Sequence, residues 1–234
     1  MKLLVSIINQ TEAKLALKGG ADIIDIKNPK EGSLGANFPR TIDSISKKYH
    51  NKLPISAAAG DMPHLPGTAA LAAKGLAHCG VDFIKIGLLG SKNSKDAIYL
   101  LQKVKKAVRE VNEKIKVVGV GYADYERADT LDIKNLVQIA INSEIDGIML
   151  DTFIKDGTSI IELRSKKELE KFITTAKKEK LITALAGSLK KEDFAFLTKI
   201  PVDIIGVRSA ACHGFNRQAK IKPELITELK QTLK

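Results

Sequence analysis

The feature that most constrains the fold of this chain is a regular alternation. Short, nearly continuous apolar runs at 2–8, 22–27, 54–59, 82–87, 116–121, 147–151, 182–186 and 203–208 each give way to a segment with helical periodicity. Apolar runs without a polar face are the mark of parallel strands covered on both sides. Helices are predicted over 11–18, 68–78, 94–111 and 165–178, among others. Ser165 and Glu168 make a capping-box pair at the start of the last of these. Pro39 and Pro223 suit the first turns of two more. Eight β/α units in 234 residues predict a TIM (β/α)8 barrel, whose usual length is ~250 residues. A doubly wound open sheet is the rival arrangement. No linker or low-complexity tract interrupts the series, so residues 1–234 read as a single catalytic domain.

A repeat on every second strand favours the barrel. "ADIIDIK", "VDFIKIG", "IDGIMLD" and "VDIIGVR" each carry an aspartate at the strand entrance: Asp22, Asp82, Asp146 and Asp203. Side chains alternate along a strand, so offsets three and five from each aspartate share one face. Those positions hold Asp25 and Lys27, Lys85 and Gly87, Met149 and Asp151, Gly206 and Arg208. Barrel layers are filled from alternate strands, and the C-terminal mouth is where such barrels keep their chemistry. Asp25, Lys27, Lys85, Asp151 and Arg208 are therefore expected to converge there. The plain alternative is that the strands merely end, with Lys27 and Arg208 reaching for solvent and the aspartates as their partners. Matching offsets on four strands weigh against it, because buried charge is costly unless paired or used.

A lysine at the end of a barrel strand suggests Schiff-base chemistry with a carbonyl substrate, for which the amine must be neutral. Lowering a lysine pKa from ~10.4 to ~7.5 costs about 4 kcal/mol. A second ammonium ~4 Å away, at an effective dielectric near 20, supplies about that much. Lys85 and Lys155 are the candidates for that neighbour, with Asp25 pulling the other way.

Net charge is +11 and the isoelectric point about 9.5, which admits nucleic acid, an anionic small substrate or plain solubility. The lysine doublets, such as Lys47-Lys48 and Lys105-Lys106, fall in helical segments and read as a solvated outer face. Aromatic residues are only 5% and do not interleave with the basic ones, so no nucleic-acid partner is expected. Strand seven ends in "ALAGSLKK" and strand eight in "GVRSAACHG". Small residues there let backbone N–H groups approach an anion, and phosphate sites often follow strands seven and eight. Gly187, Ser188, Arg208 and Ser209 are the candidate phosphate-binding residues. An ordinary glycine turn with Ser188 as a cap is the alternative. The loop after strand two, with Gly32 and Gly35, reads as a phosphate cradle, a lid or a plain connection.

Cys79 and Cys212 are far apart, and the four histidines show no ligand spacing, so no metal and no cofactor are expected. The first apolar run is too short for a signal core or a membrane span. The chain reads as cytoplasmic, with no membrane partner. A homo-oligomer is compatible with every feature above.

"GGADIIDIKNPKEGSLGANFP", "GVDFIKIGL", "GYAD", "MLDTFIKDG", "ALAGSLKKE" and "VDIIGVRSAAC" together closely resemble the (5-formylfuran-3-yl)methyl phosphate synthase family, also called 4-(hydroxymethyl)-2-furancarboxaldehyde-phosphate synthase. The resemblance runs from the first strand to the last. It implies a TIM barrel and a lyase acting on phosphates, which makes the furan of archaeal methanofuran biosynthesis from two glyceraldehyde 3-phosphate molecules. It places the Schiff-base lysine on Lys27 and a proton-accepting lysine on Lys85, with Asp25, Asp151 and Lys155 as further catalytic residues. The chain departs from the family pattern at Ser209, where glycine is expected. Without the resemblance, the residues point to a Schiff-base aldolase or lyase acting on a sugar phosphate. The rival of a different class is a non-catalytic basic barrel that binds RNA or anions.

Overall fold

The computed structural model describes residues 1–233. Strands and helices alternate from end to end: β1 (Lys2–Ile7), α1 (Gln10–Lys18), β2 (Ile23–Ile26), α2 (Pro39–Tyr49), β3 (Ile55–Asp61), α3 (Pro66–His78), β4 (Phe83–Gly87), α4 (Ser94–Arg109) and β5 (Lys116–Tyr122). There follow α5 (Leu136–Ser143), β6 (Gly147–Asp151), the short α6 (Ile160–Leu163), α7 (Lys166–Lys178), β7 (Ile182–Leu185), the short α8 (Phe194–Leu197), β8 (Ile204–Val207) and α9 (Pro223–Gln231). The strands are parallel and pair in chain order, with β8 returning to β1. This is the closed TIM barrel, and the open-sheet rival is ruled out.

Local chemistry places the elements. Pro39 and Pro223 open α2 and α9, and Ser165 with Glu168 closes a full capping box on α7. The main core lies between strands and helices, where residues such as Ile24, Ile84, Ile148 and Ile205 are wholly buried. A second, smaller cluster fills the barrel itself, including Leu4, Ile23, Val118, Val120 and Met149. No helix among the described residues is long and apolar enough to cross a membrane.

The four entrance aspartates of the repeat have a structural task. Each carboxylate reaches back to the preceding odd strand and accepts a backbone hydrogen bond. Asp22 accepts from Leu3 N (2.6 Å), Asp82 from Ile55 N (2.7 Å), Asp146 from Val117 N (2.9 Å) and Asp203 from Thr183 N (3.0 Å). For the first three, the aspartate's own N–H donates to the carbonyl of that same residue. In the fourth it donates to the Thr183 hydroxyl. These two-point clamps set the start of each strand pair, and hence which residues of the even strands reach the opposite mouth.

Two strands run further than their apolar patterns suggest. β3 continues past Gly60 to Asp61 through a register shift opposite β4, and β5 continues to Tyr122. The extra residues bring Asp61 and Tyr122 to the C-terminal mouth.

Asp82→Ala is expected to leave Ile55 N–H without its side-chain acceptor, at a cost of about 1 kcal/mol. That is a fall of roughly 2–4 °C in Tm for a chain of this size, measurable by calorimetry. Turnover per folded molecule should be unchanged, since the clamp sits at the end of the barrel away from the mouth.

Candidate active site

The innermost charged layer is a pair. Asp25 on β2 and Lys85 on β4 are both buried, and Lys85 Nζ donates to Asp25 Oδ2 at 2.7 Å. The same oxygen accepts from Ser6 Oγ on β1 at 2.8 Å. Lys27 follows Asp25 by two residues on the same face and is also buried. Its Nζ donates to the backbone carbonyl of Ser33 at 3.2 Å, in the loop that leaves β2.

Burial holds the Lys27 amine far below its ordinary value, at about 7. Asp151 opposes the shift, Lys85 and Lys155 assist it, and Asp25 opposes it least. The expectation that a neighbouring ammonium would supply the shift is thus corrected. Removal of water by burial is the larger cause, and the two neighbouring ammonium groups add to it.

Across the mouth, Asp151 ends β6. Its Oδ1 accepts from Lys155 Nζ at 2.6 Å and from Thr152 N at 2.8 Å. Burial pushes the Asp151 carboxyl upward, but Lys155 and Lys27 outweigh it and leave the pKa below the ordinary value. Lys155 also donates to Thr152 Oγ1 at 3.1 Å. The loop carrying Lys155 is tied to the end of β5, where the Asp124 carboxylate accepts from Phe153 N (2.7 Å) and Ile154 N (2.8 Å).

A cavity at this mouth is lined by Lys27, Asp151 and Lys155 together with Gly187, Ser188 and Ser209. Gly187 and Ser188 both have positive φ, +103° and +49°. Glycine adopts this freely, whereas serine rarely does, and such outliers gather at functional sites. Among the described residues, no acceptor pairs with the N–H groups of Ser188 and Leu189. No cluster of three or more His, Cys, Asp or Glu is arranged to hold a metal there or elsewhere among the described residues.

Arg208 lies in the wall of the same cavity, but its five N–H donors already have acceptors. Nε donates to Arg217 O (2.9 Å). Nη1 donates to Ser6 O (3.0 Å) and Glu12 Oε2 (2.5 Å). Nη2 donates to Glu12 Oε1 (3.2 Å) and Ala219 O (3.1 Å). Glu12 is itself buried and accepts from Ile8 N at 3.0 Å. Arg208 could meet an anion directly, as the sequence led one to expect, only by giving up some of these bonds. Its guanidinium seals the seam between β8, β1 and α1.

An arginine with donors to spare is Arg217, beyond β8, which also lines the cavity. It makes one side-chain hydrogen bond, from Nη2 to Gly32 O at 2.9 Å. Burial pulls its pKa below the ordinary value, and Asp151 opposes that shift. Sequence reasoning missed Arg217 because it lies in an irregular segment, outside the strand repeat. It also missed Asp61 and Tyr122, although "GYAD" contains the tyrosine.

The pattern of the family described as 4-HFC-P synthase matches residues 3–230. The (5-formylfuran-3-yl)methyl phosphate synthase of Methanocaldococcus jannaschii is 48% identical over 235 residues, covering 100% of both chains. That of Methanosarcina mazei is 47% identical over 229 residues, covering 98% of this chain and 97% of the relative. Among solved structures, 3-hexulose-6-phosphate synthase from Salmonella typhimurium superposes with a TM-score of 0.72 at 16% identity, over 100% of this chain and 98% of that one. KGPDC from Streptococcus mutans gives 0.68 at 14%, over 99% and 96%. At such low identity the solved structures share the fold alone. Identity of nearly half, sustained over the full length of the curated relatives, says more: the chain belongs to the 4-HFC-P synthase family.

Proposed function

We propose that this chain condenses two molecules of glyceraldehyde 3-phosphate into (5-formylfuran-3-yl)methyl phosphate through an imine on Lys27. The overall change releases one phosphate and two waters. The observation that carries the reading is a buried amine with a pKa of about 7 at the mouth of the barrel, between two carboxylate–lysine pairs. At pH 7 about half of such an amine is neutral. An ordinary lysine would be neutral in only about four molecules per ten thousand.

The connectivity of the furan explains why two pairs are needed. The carbon bearing the CH2-phosphate is flanked by ring carbons on both sides. The second triose therefore joins through its central carbon, which must first become the carbonyl carbon. That requires a proton shift on the second triose, besides proton removal next to the imine on the first. Asp25 with Lys85 is the pair beside the imine. Asp151 with Lys155 faces the open cavity, where the second triose would lie. Proton transfer at each centre is ordinary general acid–base work. Small residues and free N–H groups at 187–189, with the Ser209 turn and the Arg217 guanidinium, make the anion site.

Borohydride reduction in the presence of glyceraldehyde 3-phosphate should fix an adduct on Lys27, located by peptide mapping. The rate of adduct formation should rise as pH rises through about 7, since only the neutral amine attacks. Mass spectrometry of the products from glyceraldehyde 3-phosphate alone should show the furan phosphate. Trapping without that product would leave a Schiff-base lyase acting on another sugar phosphate. An adduct undiminished in Lys27→Ala would remove Lys27 from its role.

The two arginines should separate cleanly. Arg217→Ala should raise KM about 10–100-fold, the equivalent of one charged hydrogen bond of about 1.5–3 kcal/mol, with little change in Tm. Arg208→Ala strands the buried Glu12 carboxylate and should cost about 3–5 kcal/mol of stability. The checks are steady-state kinetics and thermal denaturation of both variants.

A further inference from the structure

The loop 28–38 leaves β2 and crosses the mouth above Lys27. Several groups hold it. Ser33 Oγ donates to Thr152 O at 2.7 Å, on the far side of the barrel beyond β6. Ser33 O receives the Lys27 ammonium, and Gly32 O receives Arg217. Leu34 N donates to the Asp61 carboxylate, at 3.1 Å to Oδ2 and 3.3 Å to Oδ1. The Leu34 side chain is wholly buried, in the same interior cluster as Tyr122.

Asp61 is in turn held by Tyr122, whose hydroxyl donates to Asp61 Oδ1. Tyr122 is completely buried and stacks edge-on against Phe153 with centroids 5.5 Å apart. Burial first, then Asp61, raises the phenol well above its ordinary value, so it remains a donor throughout the neutral range. Two glycines make room for this pair. A Cβ on Gly32, whose φ is +137°, would stand 2.2 Å from Asp61 Oδ2. A Cβ on Gly87 would stand 2.2 Å from the Tyr122 hydroxyl oxygen. A side chain at either place would displace the contact that fastens the loop.

We propose that Asp61 and Tyr122 are positioning residues that latch the loop 28–38 over Lys27, and that this closure is what strips water from its amine. Neither residue touches the reacting atoms. They act through Leu34 and Gly32 on the loop, and through Ser33 on the lysine. The inference rests on the imine role of Lys27 for its functional meaning, but not for its physical test.

The sign of the effect separates the latch from simple electrostatics. The groups whose charges act on Lys27 are Asp25 on β2, Lys85 on β4, and Asp151 and Lys155 on β6 and its loop. Arg208 and Arg217 lie in the wall of the cavity that Lys27 lines, whereas Asp61 and Tyr122, at the ends of β3 and β5, stand outside that wall and meet the loop instead. Replacing Asp61 by asparagine removes a negative charge, which by itself would lower the Lys27 pKa. Releasing the loop readmits water, which raises it.

The test is a 13C NMR titration of the lysine side chains, with Lys27 assigned by Lys27→Arg. It compares the unaltered protein with Tyr122→Phe, Asp61→Asn and Ser33→Ala. The latch predicts an upward move of the Lys27 midpoint by roughly one unit or more in each variant. Amide hydrogen exchange within 28–38 should accelerate as well. Tyr122→Phe keeps the ring packing, and Ser33→Ala attacks the loop from its other anchor, so at least one variant should retain the barrel. A midpoint that stays put, or falls in Asp61→Asn, overturns the latch. An unaltered protein that titrates near 7 but gives no imine with glyceraldehyde 3-phosphate overturns the proposed reaction and leaves the latch standing.

Discussion

Asp25 and Lys85 meet at 2.7 Å in the middle of a barrel whose interior cluster is built from Leu, Ile, Val, Ala, Met and Tyr122. Removing either partner would leave an isolated charge in a buried site, at a cost of several kcal/mol. The rest of the mouth is arranged around that pair. With Lys85 bonded to Asp25, the one hydrogen bond of the Lys27 amine goes to the carbonyl of Ser33, and the charges of Asp151, Lys85, Lys155 and Asp25 act on it without direct contact. Asp151 is itself claimed by Lys155. The arrangement leaves one amine without a carboxylate of its own, so burial decides its protonation.

The cations of the mouth divide by how fully their donors are used. Arg208 has every N–H engaged by Glu12 and three backbone carbonyls, which makes it a rivet of the β8–β1 seam. Arg217 has one hydrogen bond and open donors facing the same cavity. Two arginines nine residues apart thus serve opposite ends, one closing the barrel and the other available to an anion. Satisfied donors cannot also bind a ligand without breaking what they hold.

Much of this was legible in the amino-acid order. The apolar runs and the helical segments between them led to the barrel, because parallel strands buried on both faces have little other means of closing. The even-strand repeat placed Asp25, Lys27, Lys85 and Asp151 on one inner face, since strand alternation leaves no choice once the register is set. What the repeat did not disclose was the purpose of its own first residue. The entrance aspartates served as a ruler in the sequence, and only the paired strands show them as clamps. Asp61 and Tyr122 were passed over because each follows a glycine that seemed to end its strand.

The sequence by itself determined the order of the strands, the face on which each charge lies and the end of the barrel where the charges gather. These follow from local periodicity and from steric rules that act within a few residues. Only the tertiary structure decided which charges pair, which arginine is spent on the seam and which lysine is left dry. Those outcomes depend on distances between β2, β4, β6 and β8 and on a loop that spans from β2 to Thr152. Desolvation is a property of everything that surrounds a group, and no stretch of sequence contains its own surroundings.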